Sequence, residues 1–82
     1  MIKFEKPNKG FTASIEVRGS TFNLRNCVEE GTGHTHIDIS DETGKFLDEF
    51  SSGFGIDFDD DAETLEANAV SVFEYIDENL VF

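Results

Sequence analysis

The chain has 82 residues, with 18 Asp and Glu against 6 Lys and Arg, a formal net charge of −12 and a single cysteine. A chain this short buries roughly 60% of its unfolded surface, enough for one layer of helix on one sheet and for a single domain over residues 1–82. Its field repels nucleic acid and anionic membrane, one cysteine leaves no intrachain disulfide and fits a reducing compartment, and no stretch approaches the ~20 apolar residues of a membrane helix.

The first residues, Met1-Ile2-Lys3-Phe4-Glu5-Lys6-Pro7, carry no apolar run of signal-peptide length, so the expectation is a cytoplasmic protein. Residues 2–6 predict a short first strand, closed by the turn-rich Pro7-Asn8-Lys9-Gly10. Residues 11–18 alternate, with Phe11, Ala13, Ile15 and Val17 on one face and Thr12, Ser14, Glu16 and Arg18 on the other. Gly19-Ser20 is the expected hairpin turn. Residues 21–28 alternate again with Phe22, Leu24 and Val28 inward, and a Gly-containing turn at 29–33 follows. Residues 34–40 place Ile37 and Ile39 inward, and Asp41-Glu42-Thr43-Gly44 is the next turn. Residues 45–50 form the return strand, although Phe46, Leu47 and Phe50 break strict alternation.

Residues 51–56 read as a flexible connector. Within and beyond it, Phe54, Ile56 and Phe58 predict either a short edge strand or a lid over the end of the core. Asp60 is the expected helix N-cap, with Glu63 completing a capping box. The helix is expected at about 61–80. Ala62, Leu65, Ala69, Val72, Phe73, Ile76 and Leu80 share one arc of about 100°, and Glu63, Glu66, Glu74, Asp77 and Glu78 share an opposite arc of about 120°. The expected fold is α+β: a four- to five-stranded antiparallel sheet, mostly a meander with one wet and one dry face, packed on one C-terminal helix.

Charge is unevenly placed. Residues 1–37 hold five basic and four acidic groups, whereas residues 38–82 hold one basic and fourteen acidic groups. Asp57, Asp59 and Asp61 match the first three ligand positions of an EF-hand loop, but Ala62 stands where the loop needs Gly and Asn68 where it needs Glu. Parity puts Cys27, His34 and His36 on the wet face, and a hairpin centred on Glu30-Gly31 sets Cys27 opposite His34. Three such ligands on an open sheet make an incomplete zinc site, and the residues read as a solvated or partner-binding face. The expectation is therefore no metal and no cofactor. There is no Gly-rich phosphate loop, no HExxH and no GxSxG, which predicts a non-enzymatic protein.

The acidic stretch is the candidate partner-binding surface: Asp57, Asp59, Asp60, Asp61, Glu63, Glu66, Glu74, Asp77 and Glu78, with Val70 as an apolar anchor. Carboxylates on a rigid helix can stand where phosphates stand on a basic nucleic-acid-binding surface, giving fast, salt-sensitive association. The ladder is uneven, since Glu66 and Glu74 are about 12 Å apart along the helix. Acids at 41–42, 48–49 and 57–61 must therefore contribute. The bland alternative is that the acidity only keeps a small protein soluble.

On these features the chain resembles the class of small, strongly acidic inhibitors encoded by bacteriophages, among them DNA mimics that block restriction enzymes and anti-CRISPR proteins that occupy nucleic-acid or PAM-reading surfaces. In addition, Glu66-Ala67-Asn68-Ala69 looks like the start of the EANA helix that ends many small phage and prophage proteins, although Val70-Ser71-Val72-Phe73-Glu74 departs from that pattern. The resemblance implies an inhibitor acting in the bacterial host cytoplasm on a basic protein surface, a CRISPR effector subunit first and a restriction enzyme second. The charge field implies no direct contact with nucleic acid or membrane, and edge strands able to pair two copies leave a monomer or a homodimer as the expectation. An immunity protein for a basic nuclease toxin, or a small metal-binding protein, would share much of this sequence pattern.

Overall fold

Among the described residues, alternation of apolar and polar residues produces five strands, each paired antiparallel with its sequence neighbour. They are β1 (Lys3–Glu5), β2 (Ala13–Val17), β3 (Ser20–Val28), β4 (Thr35–Asp41) and β5 (Phe46–Phe50), in the sheet order β1-β2-β3-β4-β5. One helix, α1 (Ala62–Asn79), follows and packs against β2, completing an α+β fold. The chain is described by a computed structural model that covers residues 3–6 and 10–81; Ile2 and the expected turn residues Pro7, Asn8 and Lys9 lie outside the described residues.

The dry face is built in register. Ile15 pairs with Phe22, Ala13 with Leu24, and Leu24 in turn with Ile39. These side chains, with Val17 and Ile37, meet Val72 and Ile76 of α1 and Ile56 of the connector in one buried cluster. Each fully buried Ile or Leu contributes about 1.5–3 kcal/mol relative to exposure, so this cluster is the main source of stability. In α1 and at its C-cap Leu80, Ala69, Val72 and Ile76 are buried and Leu65, Phe73 and Leu80 are half-buried, as the helical stripe predicts, whereas Ala62 is exposed.

Several local features differ from the sequence expectation. The β2–β3 turn is Arg18-Gly19, not Gly19-Ser20, because Val17 pairs with Ser20. Both turn residues have positive φ, 50° for Arg18 and 82° for Gly19, as a two-residue turn matched to strand twist demands. Phe11 precedes β2 and escapes its alternation; its ring lies 4.7 Å from the Arg25 guanidinium instead of joining the core. Val28 is 67% exposed, because the end of β3 runs past the buried cluster. Phe46 and Leu47 break alternation because Ile39 pairs with Asp48 and Ser40 with Phe46, which leaves Leu47 as the extra residue of a bulge.

Residues 51–61 form a lid, not a strand. Ile56 is 1% exposed and is held by the side chain of Asn26: its N–H donates to Asn26 Oδ1 and its carbonyl accepts from Asn26 Nδ2, both at 2.9 Å. Asn26 occupies an inward position of β3, opposite Ile37, where alternation calls for an apolar residue. Its amide serves the lid backbone in the way a neighbouring strand would. Phe58 stacks on Phe4 with centroids 5.2 Å apart, and Phe54 meets Phe50 edge to face. The lid thus fixes where the acidic segment leaves the sheet.

Candidate functional site

The acidic run is ordered by its own carboxylates. Asp57 Oδ1 accepts from Asp59 N at 2.8 Å and Asp57 O from Asp60 N at 3.1 Å, which makes a tight turn. The N-cap is Asp61, one residue later than expected. Its backbone is extended and its side chain accepts from Thr64 N at 2.7 Å and from Thr64 Oγ1 at 3.0 Å. Thr64, not Glu63, is therefore the residue that closes the cap, because the turn occupies Asp60. These bonds, with Thr64 N–H first among them, hold the Asp61 carboxyl below the usual carboxylate range. The positive end of the helix dipole adds to the same preference.

The outcome is an anionic pole. Six of the ten residues 57–66 are acidic (Asp57, Asp59, Asp60, Asp61, Glu63 and Glu66), and all six are exposed. Among the described residues none of them forms an ion pair with a basic side chain. Glu74 and Glu78 are exposed further along α1. Asp77 is not available in the same way, since its carboxylate binds the Arg18 guanidinium of the β2–β3 turn. That pairing raises the Arg18 pKa from its ordinary value through the hydrogen bond first and the charge second. Val70, expected on the outer side, is half-buried. The structure thus gathers six of the ten expected partner-binding residues at one end of the helix, leaves Glu74 and Glu78 apart, and occupies Asp77 internally.

The wet sheet face holds a second constellation. The β3–β4 loop is closed by Glu29 N–H donating to His34 O at 2.8 Å and Gly33 N–H to Glu29 O at 3.0 Å. This centres the hairpin one residue later than expected and sets Cys27 opposite His36 rather than His34. His36 Nε2 lies 3.0 Å from Glu49 Oε1 and 3.3 Å from Asp38 Oδ1, and Cys27 Sγ donates to Asp38 Oδ2 at 3.4 Å. Burial, followed by the Asp38 hydrogen bond and charge, pushes the Cys27 thiol up from its ordinary value against a smaller opposing pull from Arg25. That disfavours the thiolate needed for nucleophilic chemistry. His36 and Asp38 share a face by strand parity, a signal present in the sequence; the contribution of Glu49 depends on the bulged β4–β5 register and carries no local signal.

At the far edge of the dry face, Tyr75 Oη donates to Asp48 Oδ2 at 2.5 Å. This hydrogen bond holds the Asp48 carboxyl below its usual range and the Tyr75 phenol above its own. Among the described residues no helix is long and apolar enough to cross a membrane. The chain matches no known protein family, and neither a characterised protein nor a solved structure shows significant similarity to it.

Proposed function

We propose that this chain is a non-enzymatic acidic inhibitor of phage type, which binds a basic nucleic-acid-handling protein of a bacterial defence system and blocks its DNA or RNA site. The preferred target is a CRISPR effector subunit, with a restriction enzyme second; that ranking rests on the resemblance of the chain to small acidic phage inhibitors. The observation that carries the reading is the anionic pole at 57–66, six exposed carboxylates without a basic partner among the described residues. The Asp57 turn and Asp61 cap hold part of that charge in fixed positions, so little ordering is required when a basic surface arrives. Complementary charge then speeds the encounter and sets its orientation.

The test is capture from bacterial lysate at ~50 mM and ~300 mM salt, a range over which surface electrostatics weaken. The variant to compare carries Asp59→Lys, Asp60→Lys, Glu63→Lys and Glu66→Lys. It spares Asp57 and Asp61, whose hydrogen bonds shape the segment. The expected result is a nuclease or CRISPR effector subunit held at low salt, partly retained at high salt and lost with the variant. Capture of only ribosomal and other generic basic proteins, all released at high salt, would refute the proposal.

A further inference from the structure

We propose that Cys27, His36 and Asp38, with Glu49 as fourth ligand, bind one divalent transition-metal ion of the zinc class on the face of the sheet away from α1. The ligand atoms of Cys27, His36 and Asp38 all lie within 4.8 Å of one another. The closest separations are 3.4 Å from Cys27 to Asp38, 3.3 Å from His36 to Asp38 and 3.0 Å from His36 to Glu49. Metal–ligand bonds of about 2.0–2.3 Å in a tetrahedron place neighbouring donors roughly 3.3–3.8 Å apart. Cys27, His36 and Asp38 are therefore near coordinating geometry, and Glu49 stands beside His36 to complete the set.

Cys27 faces His36 across β3 and β4, and Asp38 faces Glu49 across β4 and β5. The four donors thus come from three adjacent strands. A single ring nitrogen, His36 Nε2, faces both carboxylates and has at most one proton to share between them, while the Cys27 thiol donates its own to the other oxygen of Asp38. Arg25, the cross-strand partner of Asp38, directs its guanidinium away to Gly10 and Phe11: its Nε donates to Gly10 O at 3.0 Å and its guanidinium lies over the Phe11 ring. A bound dication supplies the missing positive charge.

The donor set selects the ion. One thiolate, one imidazole and two carboxylates suit zinc and its neighbours, whereas calcium and magnesium prefer oxygen alone. Binding releases the Cys27 thiol proton to solvent as the metal–sulfur bond forms, so affinity rises with pH. His36 is half-buried and Glu49 exposed, and an open depression bordered by His34, Thr35 and Ser51 gives the ion access. The ion ties β3, β4 and β5 together on the face that lacks a helix.

The experiment uses the reduced, metal-free full chain titrated with zinc chloride, and with cobalt(II) as a spectroscopic probe. The expected result is one ion per chain, about one proton released per zinc at neutral pH, and thiolate-to-cobalt charge-transfer absorption in the near ultraviolet. Cys27→Ser abolishes that absorption, and His36→Ala weakens zinc binding by at least about tenfold. A variant carrying Asp57→Asn, Asp59→Asn and Asp60→Asn leaves both readouts unchanged. Absence of the charge-transfer band in the wild-type chain overturns the proposal. So does binding that survives Cys27→Ser and His36→Ala but disappears in the Asp variant, which would mark an adventitious ion on the anionic pole. Proton release and the cobalt spectrum of the wild-type chain decide the matter even if a substituted chain fails to fold.

Discussion

Replacing Asn26 by Ala removes the side chain that serves both backbone groups of Ile56. Ile56 is 1% exposed, so its N–H and C=O are left without partners unless the lid opens to water. An unsatisfied buried donor or acceptor costs about 1–3 kcal/mol, and lid opening limits the loss, so Asn26→Ala is expected to cost about 2–4 kcal/mol. A domain of this size is stable by only about 4–12 kcal/mol, so the shift is large in a urea melt followed by far-ultraviolet circular dichroism. Gly55 provides an internal control. A Cβ there would sit 3.0 Å from Asn26 Nδ2 and 3.2 Å from its Cγ, so Gly55→Ala displaces the same amide. Its cost should shrink in the Asn26→Ala background, so the double variant should lose less stability than the sum of the two single variants. A change below about 0.5 kcal/mol for Asn26→Ala, within the range of ordinary surface substitutions, would refute the idea that the amide holds the lid.

Two further outcomes are expected. Arg18 combines a left-handed backbone with an ion pair to Asp77. Both Arg18→Ala and Arg18→Gly delete the pair, but only Gly relieves the backbone, so the Gly variant should melt at the higher temperature; the reverse order would show that the turn is unstrained. In Tyr75→Phe, the Asp48 carboxyl loses the first of the hydrogen bonds that depress its pKa, so its NMR titration midpoint should rise toward the ordinary value of about 3.9. A depressed carboxylate pKa stabilises the fold above that ordinary value and loses the contribution as pH falls through the folded value. The stability difference between wild type and Tyr75→Phe should therefore be widest near neutrality and narrow below pH ~3.9; a difference that widened in acid would contradict it.

The sheet and helix were legible because period-two alternation in residues 13–17 and 20–28 and the stripe from Leu65 to Leu80 are burial patterns, and burial decides both elements. Turns were less legible. Arg18 in the β2–β3 turn and the later centre of the β3–β4 hairpin follow from backbone geometry, and a shift of the centre by one residue moved the partner of Cys27 from His34 to His36 without changing its face. The acidic run was plain as composition, yet its division into a turn at Asp57–Asp60 and a cap at Asp61 depends on which aspartate reaches which N–H. Asp77 was read as a free surface acid because its partner, Arg18, lies 59 residues away in the chain. Asn26 in an inward position was the one local irregularity that marked the lid contact, and its meaning appears only when Ile56 is folded over it.

Pairing every strand with its sequence neighbour also sets the order in which the chain acquires structure. Each hairpin closes a short loop, so the sheet can assemble from local contacts at little entropic cost and quickly. Its greasy side nevertheless stays bare until α1 arrives, since Val72 and Ile76 follow all five strands. Until α1 docks, Leu24, Ile37 and Ile39 are therefore without their helical cover. Residues 57–66 bring a dense negative charge beside that apolar sheet, and like charge on separate copies opposes their association. The same carboxylates proposed to engage a target thus also set copies of the chain against one another by like charge.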